Sequence, residues 1–342
     1  RGKDHETVAE VAAGDIGAVA KLSHTTTGDT FSTKDDPVTI EAAEMPEPLL
    51  AFAITPKTKG DEEKLSTALS RLREEDPTLR IERSDETHET VMYGMGEAHL
   101  DVQIERMKRK FGVEVTTAPA KIAYRETIRG PGKGVGRHVK QTGGHGQYAV
   151  CTIEVEPLPR GEGFEYVDKI FGGAIPHQFI GSVEKGIVKT MQQGVISGNP
   201  MVDIRCTLVD GKFHSVDSSD MAFQLAGSLA LKEAAMAAGV VLLEPIVEVD
   251  VVVPESHTGD IMGDLNAKRA KIQGVESAGA GKQRVKALVP QAEVARYSID
   301  LRSMTGGRAA FTMHFSHYEE VPSHLADKII AATQQAKEEA RK

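Results

Sequence analysis

The chain has 342 residues, a formal net charge of −9, 40% apolar residues, two cysteines and no tryptophan. Length and composition call for a soluble, globular protein of two to four domains. No run of eighteen apolar residues is present, so no membrane-spanning helix is expected. The charged start Arg1-Gly2-Lys3-Asp4-His5-Glu6 has no signal-peptide core. The acidic average argues against a protein coated in nucleic acid but leaves room for a local basic surface.

Residues 1–45 read as all-β. Short strand patterns at Thr7–Val11 and Ala18–Leu22 are separated by a turn at Ala13-Gly14-Asp15, and a further turn follows at Thr27-Gly28-Asp29. So few short strands bury too little area to stand alone, so this stretch is expected to be the tail of a β-barrel and the chain a piece of something larger.

Residues 46–121 read β-α-β-β-α-β. Strand patterns lie at 49–55, 79–83, 90–93 and 113–116. Helical periodicity covers 61–73, with Leu65, Leu69 and Leu72 on one side, and 97–111, which stops at Gly112. That order predicts a ferredoxin-like module. Residues 244–342 repeat it, with strands from 246, 270, 284 and 309, helices over 258–269 and 293–304, and a terminal helix over 323–341. Between the two copies, residues 122–243 form a different α+β unit, with helices over 178–193 and from 218/219 to 238. The predicted class is α+β, multidomain.

The stretch 141–148, Gln-Thr-Gly-Gly-His-Gly-Gln-Tyr, sits between strand-like runs at 136–140 and 148–155. Three glycines in four positions make a bare-backbone hairpin tip. From Lys121 to Val150 there are six Lys/Arg against one acid, Glu126. This predicts a projecting tip that meets a polyanion. The contacting residues are Gln141, Thr142, Gly143, Gly144, His145, Gly146 and Gln147, flanked by Arg137, His138 and Lys140. Glutamine and backbone amides reach phosphates and base edges, and lysine and arginine supply the salt-dependent attraction. A second loop, Lys212-Phe213-His214-Ser215, joins the candidate site.

The His214, Asp217 and Ser218 cluster offers hydrolase side chains, but the members of a triad seldom sit within six residues of each other. Asp217 or Ser218 as the cap of the following helix is the simpler reading. No phosphate loop is present: Gly132-Lys133 is followed by Gly134, and position 127 is threonine where that motif needs glycine. The twelve histidines show no metal-ligand spacing, and His314/His317 at a strand end is a poor metal pair. No cofactor, metal or catalysis is therefore expected of this chain itself. Cys151 and Cys206, both in apolar runs, are expected to be buried free thiols of a cytoplasmic protein.

Several stretches together resemble elongation factor G, a translational GTPase. They include Thr26-Thr27-Gly28-Asp29-Thr30, Gly94-Met95-Gly96-Glu97-Ala98-His99-Leu100-Asp101 and Tyr124-Arg125-Glu126-Thr127-Ile128. The glycine tip, Gly172-Gly173-Ala174-Ile175-Pro176, Val216-Asp217-Ser218-Ser219, Leu243-Glu244-Pro245-Ile246 and Leu301-Arg302-Ser303-Met304-Thr305 complete the set. The resemblance is collinear over essentially the whole chain. It implies the end of a β-barrel second domain over 1–45, a ferredoxin-like third domain over 46–121 and a ribosomal protein S5 domain 2-like fourth domain over 122–243. A ferredoxin-like fifth domain with a C-terminal helix follows over 244–342. It further implies a monomeric partner of the ribosome. The fourth-domain tip would enter the small-subunit decoding region beside tRNA and mRNA to promote translocation, and the fifth domain would contact the large-subunit stalk base. GTP, with Mg, would belong to an N-terminal domain of the parent protein. The family tip usually reads Ser-Gly-Gly-Arg-Gly-Gln, whereas here His145 replaces the arginine. Two alternatives stay open: a divergent paralogue acting in ribosome recycling, ribosome protection or regulation, and a stand-alone RNA- or protein-binding scaffold.

Overall fold

Strand and helix periods alternate cleanly after residue 49, and the computed structural model of the chain follows them. It describes residues 6–84, 86–140 and 146–340, without the side chains of 59 and 336–340. The first module comprises β1 (Leu50–Pro56), α1 (Glu62–Glu75), β2 (Arg80–Arg83), β3 (Thr90–Gly94), α2 (Glu97–Arg106) and β4 (Val115–Pro119). The sheet is antiparallel in the order β2-β3-β1-β4, the arrangement of a ferredoxin-like unit. The helical period that runs to Phe111 is honoured, but its last five residues wind as a π turn ending at left-handed Gly112. Leu50, Ile54, Leu65, Leu69, Leu72, Met92, Leu100 and Met107 form its core.

The middle unit comprises β5 (Arg125–Ile128), β6 (Gly132–Lys140), β7 (Gln147–Pro157), β8 (Phe164–Asp168), α3 (His177–Gln193), β9 (Ile204–Lys212) and α4 (Asp220–Ala238). Its sheet runs β6-β7-β9-β8, with only β8 and β9 parallel. Alternate residues of β6 are glycines, and α4 lies directly on them. A Cβ at Gly136 would stand 1.8 Å from the Ala226 carbonyl oxygen, and one at Gly134 would stand 2.3 Å from that of Ala230. The helix answers with Ala222, Ala226, Ala230, Ala234 and Ala238, four residues apart and all buried. Cys151 and Cys206 are free and buried beneath this layer, and burial pushes both thiols up to about 12.

The third unit comprises β10 (Val240–Pro254), α5 (Thr258–Ala267), β11 (Lys271–Gly279), β12 (Lys282–Pro290), α6 (Tyr297–Thr305), β13 (Ala310–Glu320) and α7 (Ser323–Ala340). Its order, β11-β12-β10-β13, repeats the first module. The strand expected from Ile246 begins six residues earlier, at Val240, and β5 pairs with that extension. Pro245 does not break it. On the side away from β13, β5 pairs with 240–243 and β12 with 246–254, so the proline falls in the gap between them, where no N–H is required.

Glu126 holds the middle unit's own 195–198 loop, and half-buried Arg125 beside it reaches both neighbouring units. The fully buried Glu126 of β5 accepts from the backbone N–H groups of Val195 (2.6 Å), Ile196 (3.1 Å), Ser197 (2.7 Å) and Gly198 (3.0 Å), and from Ser197 Oγ (2.7 Å). Arg125 pairs with Glu86 of the first module, and its guanidinium lies 4.4 Å over the Tyr318 ring of the third. Tyr318 in turn donates to the Ala123 carbonyl at 3.0 Å.

Residues 6–49 correct the reading of the N-terminal segment. The strands expected at Thr7–Val11 and Ala18–Leu22 do not form, because no other described strand offers them a ladder. Ile16, Val19, Phe31 and Ile40 lie exposed. Among the described residues, no helix is long and apolar enough to cross a membrane.

Candidate nucleic-acid interface

The last described pair of the β6–β7 hairpin is Lys140–Gln147. Gln141, Thr142, Gly143, Gly144 and His145 lie outside the described residues. What the structure describes is the end of the sheet on either side of them. The last pairs of β7 and β9 place Val150 beside Lys212. Lys212, Phe213, His214 and Ser215 are therefore carried to the same end of the sheet as the hairpin, and all four are exposed.

The two loops are bonded to each other. Asp217 Oδ1 accepts from Gly146 N at 3.0 Å, and the Asp217 carbonyl accepts from Tyr148 N at 2.8 Å. Ser218 Oγ donates to the Tyr148 carbonyl at 2.7 Å and accepts from His214 N at 2.9 Å. Neither Asp217 nor Ser218 caps α4. That cap is Ser219, whose side chain accepts from Ala222 N at 3.2 Å. Sequence reasoning thus placed the right residues at this end and gave two of them the wrong task. The available signal was the surplus: three consecutive polar residues, where one suffices to cap a helix.

Hydrogen bonds set the orientation of the functional side chains. His138 was expected among the exposed flanking cations, yet it is buried, because strand alternation turns it inward between exposed Arg137 and Val139. A carbonyl oxygen can only accept, so His138 Nε2–H donates to Gln147 Oε1 at 2.7 Å. Gln147 is exposed and its NH₂ group is left for a partner. His214 Nδ1 faces the N–H groups of Val216 (3.3 Å) and Asp217 (3.2 Å), from which it accepts when neutral, and Asp217 Oδ2 at 3.3 Å, to which it donates when protonated. In either form Nε2 carries a proton. Both loops therefore offer donors, which suits an acceptor-rich surface such as phosphate or base edges. Among the described residues, Arg137, Lys140 and Lys212 form no ion pair, whereas nearby Asp210 and Asp217 are engaged by backbone N–H groups.

The chain is similar to known proteins over nearly its whole length. The family model for elongation factor G domain III matches residues 45–119, that for domain IV matches residues 120–251, and that for the elongation factor G C-terminus matches residues 241–329. Proteins from two strains of Mycobacterium tuberculosis, each named "Elongation factor G-like protein", are 54% and 53% identical over 330 residues. In both cases the match covers 96% of this chain and 46% of the relative, so the chain spans about half the length of the curated relatives it matches. A crystal structure of a Thermus thermophilus protein superposes with a TM-score of 0.75 at 42% identity, covering 86% of this chain and 44% of that one. With three consecutive domain models in order and this level of identity, the chain belongs to the elongation factor G family.

Proposed function

We propose that this chain is the ribosome-binding part of an elongation factor G-type translational GTPase, and that the end of the middle sheet enters the small-subunit decoding region to promote movement of tRNA and mRNA. The observation that carries the reading is the pair of loops locked together by Asp217 and Ser218, with the donors of Gln147 and His214 and unpaired cations beside them. In this reading 1–45 is the end of the family's second domain, and the C-terminal ferredoxin-like unit faces the large-subunit stalk base. GTP and Mg are assigned to the family's GTP-binding domain, and the protein acts as a monomer in the cytoplasm.

The test is single-turnover translocation by the complete protein. Each lost hydrogen bond costs about 1 kcal/mol, so Gln147→Ala and His214→Ala should each slow mRNA movement about five-fold or more with the fold unchanged. Normal movement in both variants would remove the assignment.

A second reading, a paralogue acting in recycling, protection or regulation, is favoured by His145, which stands where the family usually has arginine. Arginine is always charged and forks onto phosphate, whereas neutral histidine donates once. If His145→Arg raises translocation by an order of magnitude, the natural task lies elsewhere. An unchanged rate supports the first reading.

A further inference from the structure

We propose that Phe171 is a third contact at this end of the molecule, a flat apolar face on which an unpaired RNA base stacks. The inference rests on reading this end as the one that faces the ribosome. Phe171 is 93% exposed, a state that leaves a large aromatic ring in water without burial gain.

The exposure is built in. Lys169 N donates to the Leu208 carbonyl at 2.9 Å, and Asp168 Oδ1 accepts from Ile170 N at 2.9 Å, holding the approach to Phe171. Gly172 and Gly173 follow with φ of +66° and +74°, a left-handed pair that side-chain-bearing residues rarely adopt. Ile175 is buried against Gly211, where an added Cβ would come within 2.4 Å of Ile175 Cδ1. The loop is therefore pinned on both sides, with the ring at its apex.

Topology brings this apex to the candidate interface. Because β8 runs parallel to β9, the loop after β8 leaves the sheet at the end where β9 delivers Lys212 and His214. Helices α3 and α4 also start together there, joined by Ser182 Oγ donating to Asp220 Oδ1 at 2.5 Å. Two strand spacings, about 10 Å, separate β8 from β7, and Asp168 at the end of β8 is level with Leu208 and Ile153, six residues along β7 from Gln147. Lys169 beside it is exposed and, among the described residues, forms no ion pair.

A protein-docking surface would show a contiguous apolar patch. Phe171 is followed by two glycines and preceded by Ile170, which packs on the core, and by exposed Lys169, while the exposed Phe213 and Val216 belong to the neighbouring loop after β9. An exposed aromatic ring beside a cation is the pattern used to stack bases and hold phosphate in single-stranded nucleic acid, and it tolerates any base.

The test compares Phe171→Ala, Phe171→Leu and Phe171→Trp with the wild type and with Gln147→Ala, measuring affinity of the full chain for purified 70S ribosomes. Stacking predicts that Ala and Leu both weaken binding about 5- to 150-fold, while Trp holds or tightens it. A leucine variant that binds like wild type would reduce Phe171 to a generic apolar contact. Unchanged binding by the alanine variant, with Gln147→Ala impaired, would overturn the Phe171 assignment alone. A wild-type chain that does not bind at all would overturn the ribosomal reading as well. Benzoylphenylalanine at position 171, photolysed on the ribosome, should crosslink to ribosomal RNA; crosslinks confined to ribosomal protein would refute base stacking.

Discussion

Asp217 Oδ1 accepts from Gly146 N at 3.0 Å across 71 positions of sequence. That bond, with the one from Tyr148 N to the Asp217 carbonyl, ties the start of β7 to the loop before α4. A finger carried on a single two-stranded ribbon would be marginal by itself. Tied to the loop that opens α4, it is braced by the core of the middle unit.

Asp217→Ala tests the brace. Gly146 N–H loses its acceptor, while Tyr148 N–H keeps a backbone carbonyl. A net loss of about 1 kcal/mol is expected for a partly exposed bond. Amide exchange should quicken at Gly146 much more than at Tyr148. Equal protection at Gly146 in both proteins would mean the bond has no role in holding the finger.

Gly136→Ala tests the close seat of α4 on β6. The new methyl would meet the Ala226 carbonyl at 1.8 Å, and a backbone atom inside a helix cannot swing aside. A cost of about 3 kcal/mol or more is expected, at the upper end for an overpacked core. Gly130→Ala, where nothing lies within 4 Å, should stay within about 0.5 kcal/mol of wild type. Thermal melts of the pair decide it, and equal melting temperatures would contradict the packing described.

Glu126→Gln tests the buried carboxylate. Five donors converge on its two oxygens, and an amide would turn an NH₂ group toward them. Removing a buried charge from its matched donors costs about 3 kcal/mol or more. The urea midpoint should fall with little change in slope. A midpoint like that of wild type would show that the 195–198 loop finds other acceptors.

Asp76 predicts an acid limb of stability in the first module. Burial pushes its carboxyl up, but hydrogen bonds from Thr78 and His99, at 2.6 Å and 2.9 Å, outweigh burial and hold it below the ordinary carboxylate range. A depressed carboxylate stabilises the fold above its unfolded-state pKa, about 4, and that contribution is lost as pH falls through the lower folded-state value. Asp76→Asn should therefore be less stable than wild type at pH 6, with the gap closing toward pH 2 to 3. A gap of constant size, measured by urea midpoints across that range, would rule out the linkage.

Much of this protein is legible without coordinates. The period of two in Met201–Leu208, the period near 3.6 in 61–73 and 178–193, and the β-α-β-β-α-β order occurring twice are all local patterns. The hairpin flanking the glycine tip and the loop at 212–215 are likewise marked by neighbours in sequence. Burial of Cys151 and Cys206 followed from the apolar runs around them.

What the sequence by itself determined, then, is which segments become strands and helices, and which loops carry glycine, glutamine and histidine. Only the tertiary structure decided that His138 turns inward to aim Gln147, and that Asp217 and Ser218 join two loops rather than cap a helix. It alone decided that Glu126 gathers a distant loop, that Pro245 sits harmlessly in a gap between strands, and that residues 6–49 form no strand. The physical reason is range: side-chain periodicity is set by the rotation from one residue to the next. Each of those outcomes depends instead on which donor, acceptor or strand edge the fold brings alongside from elsewhere in the chain.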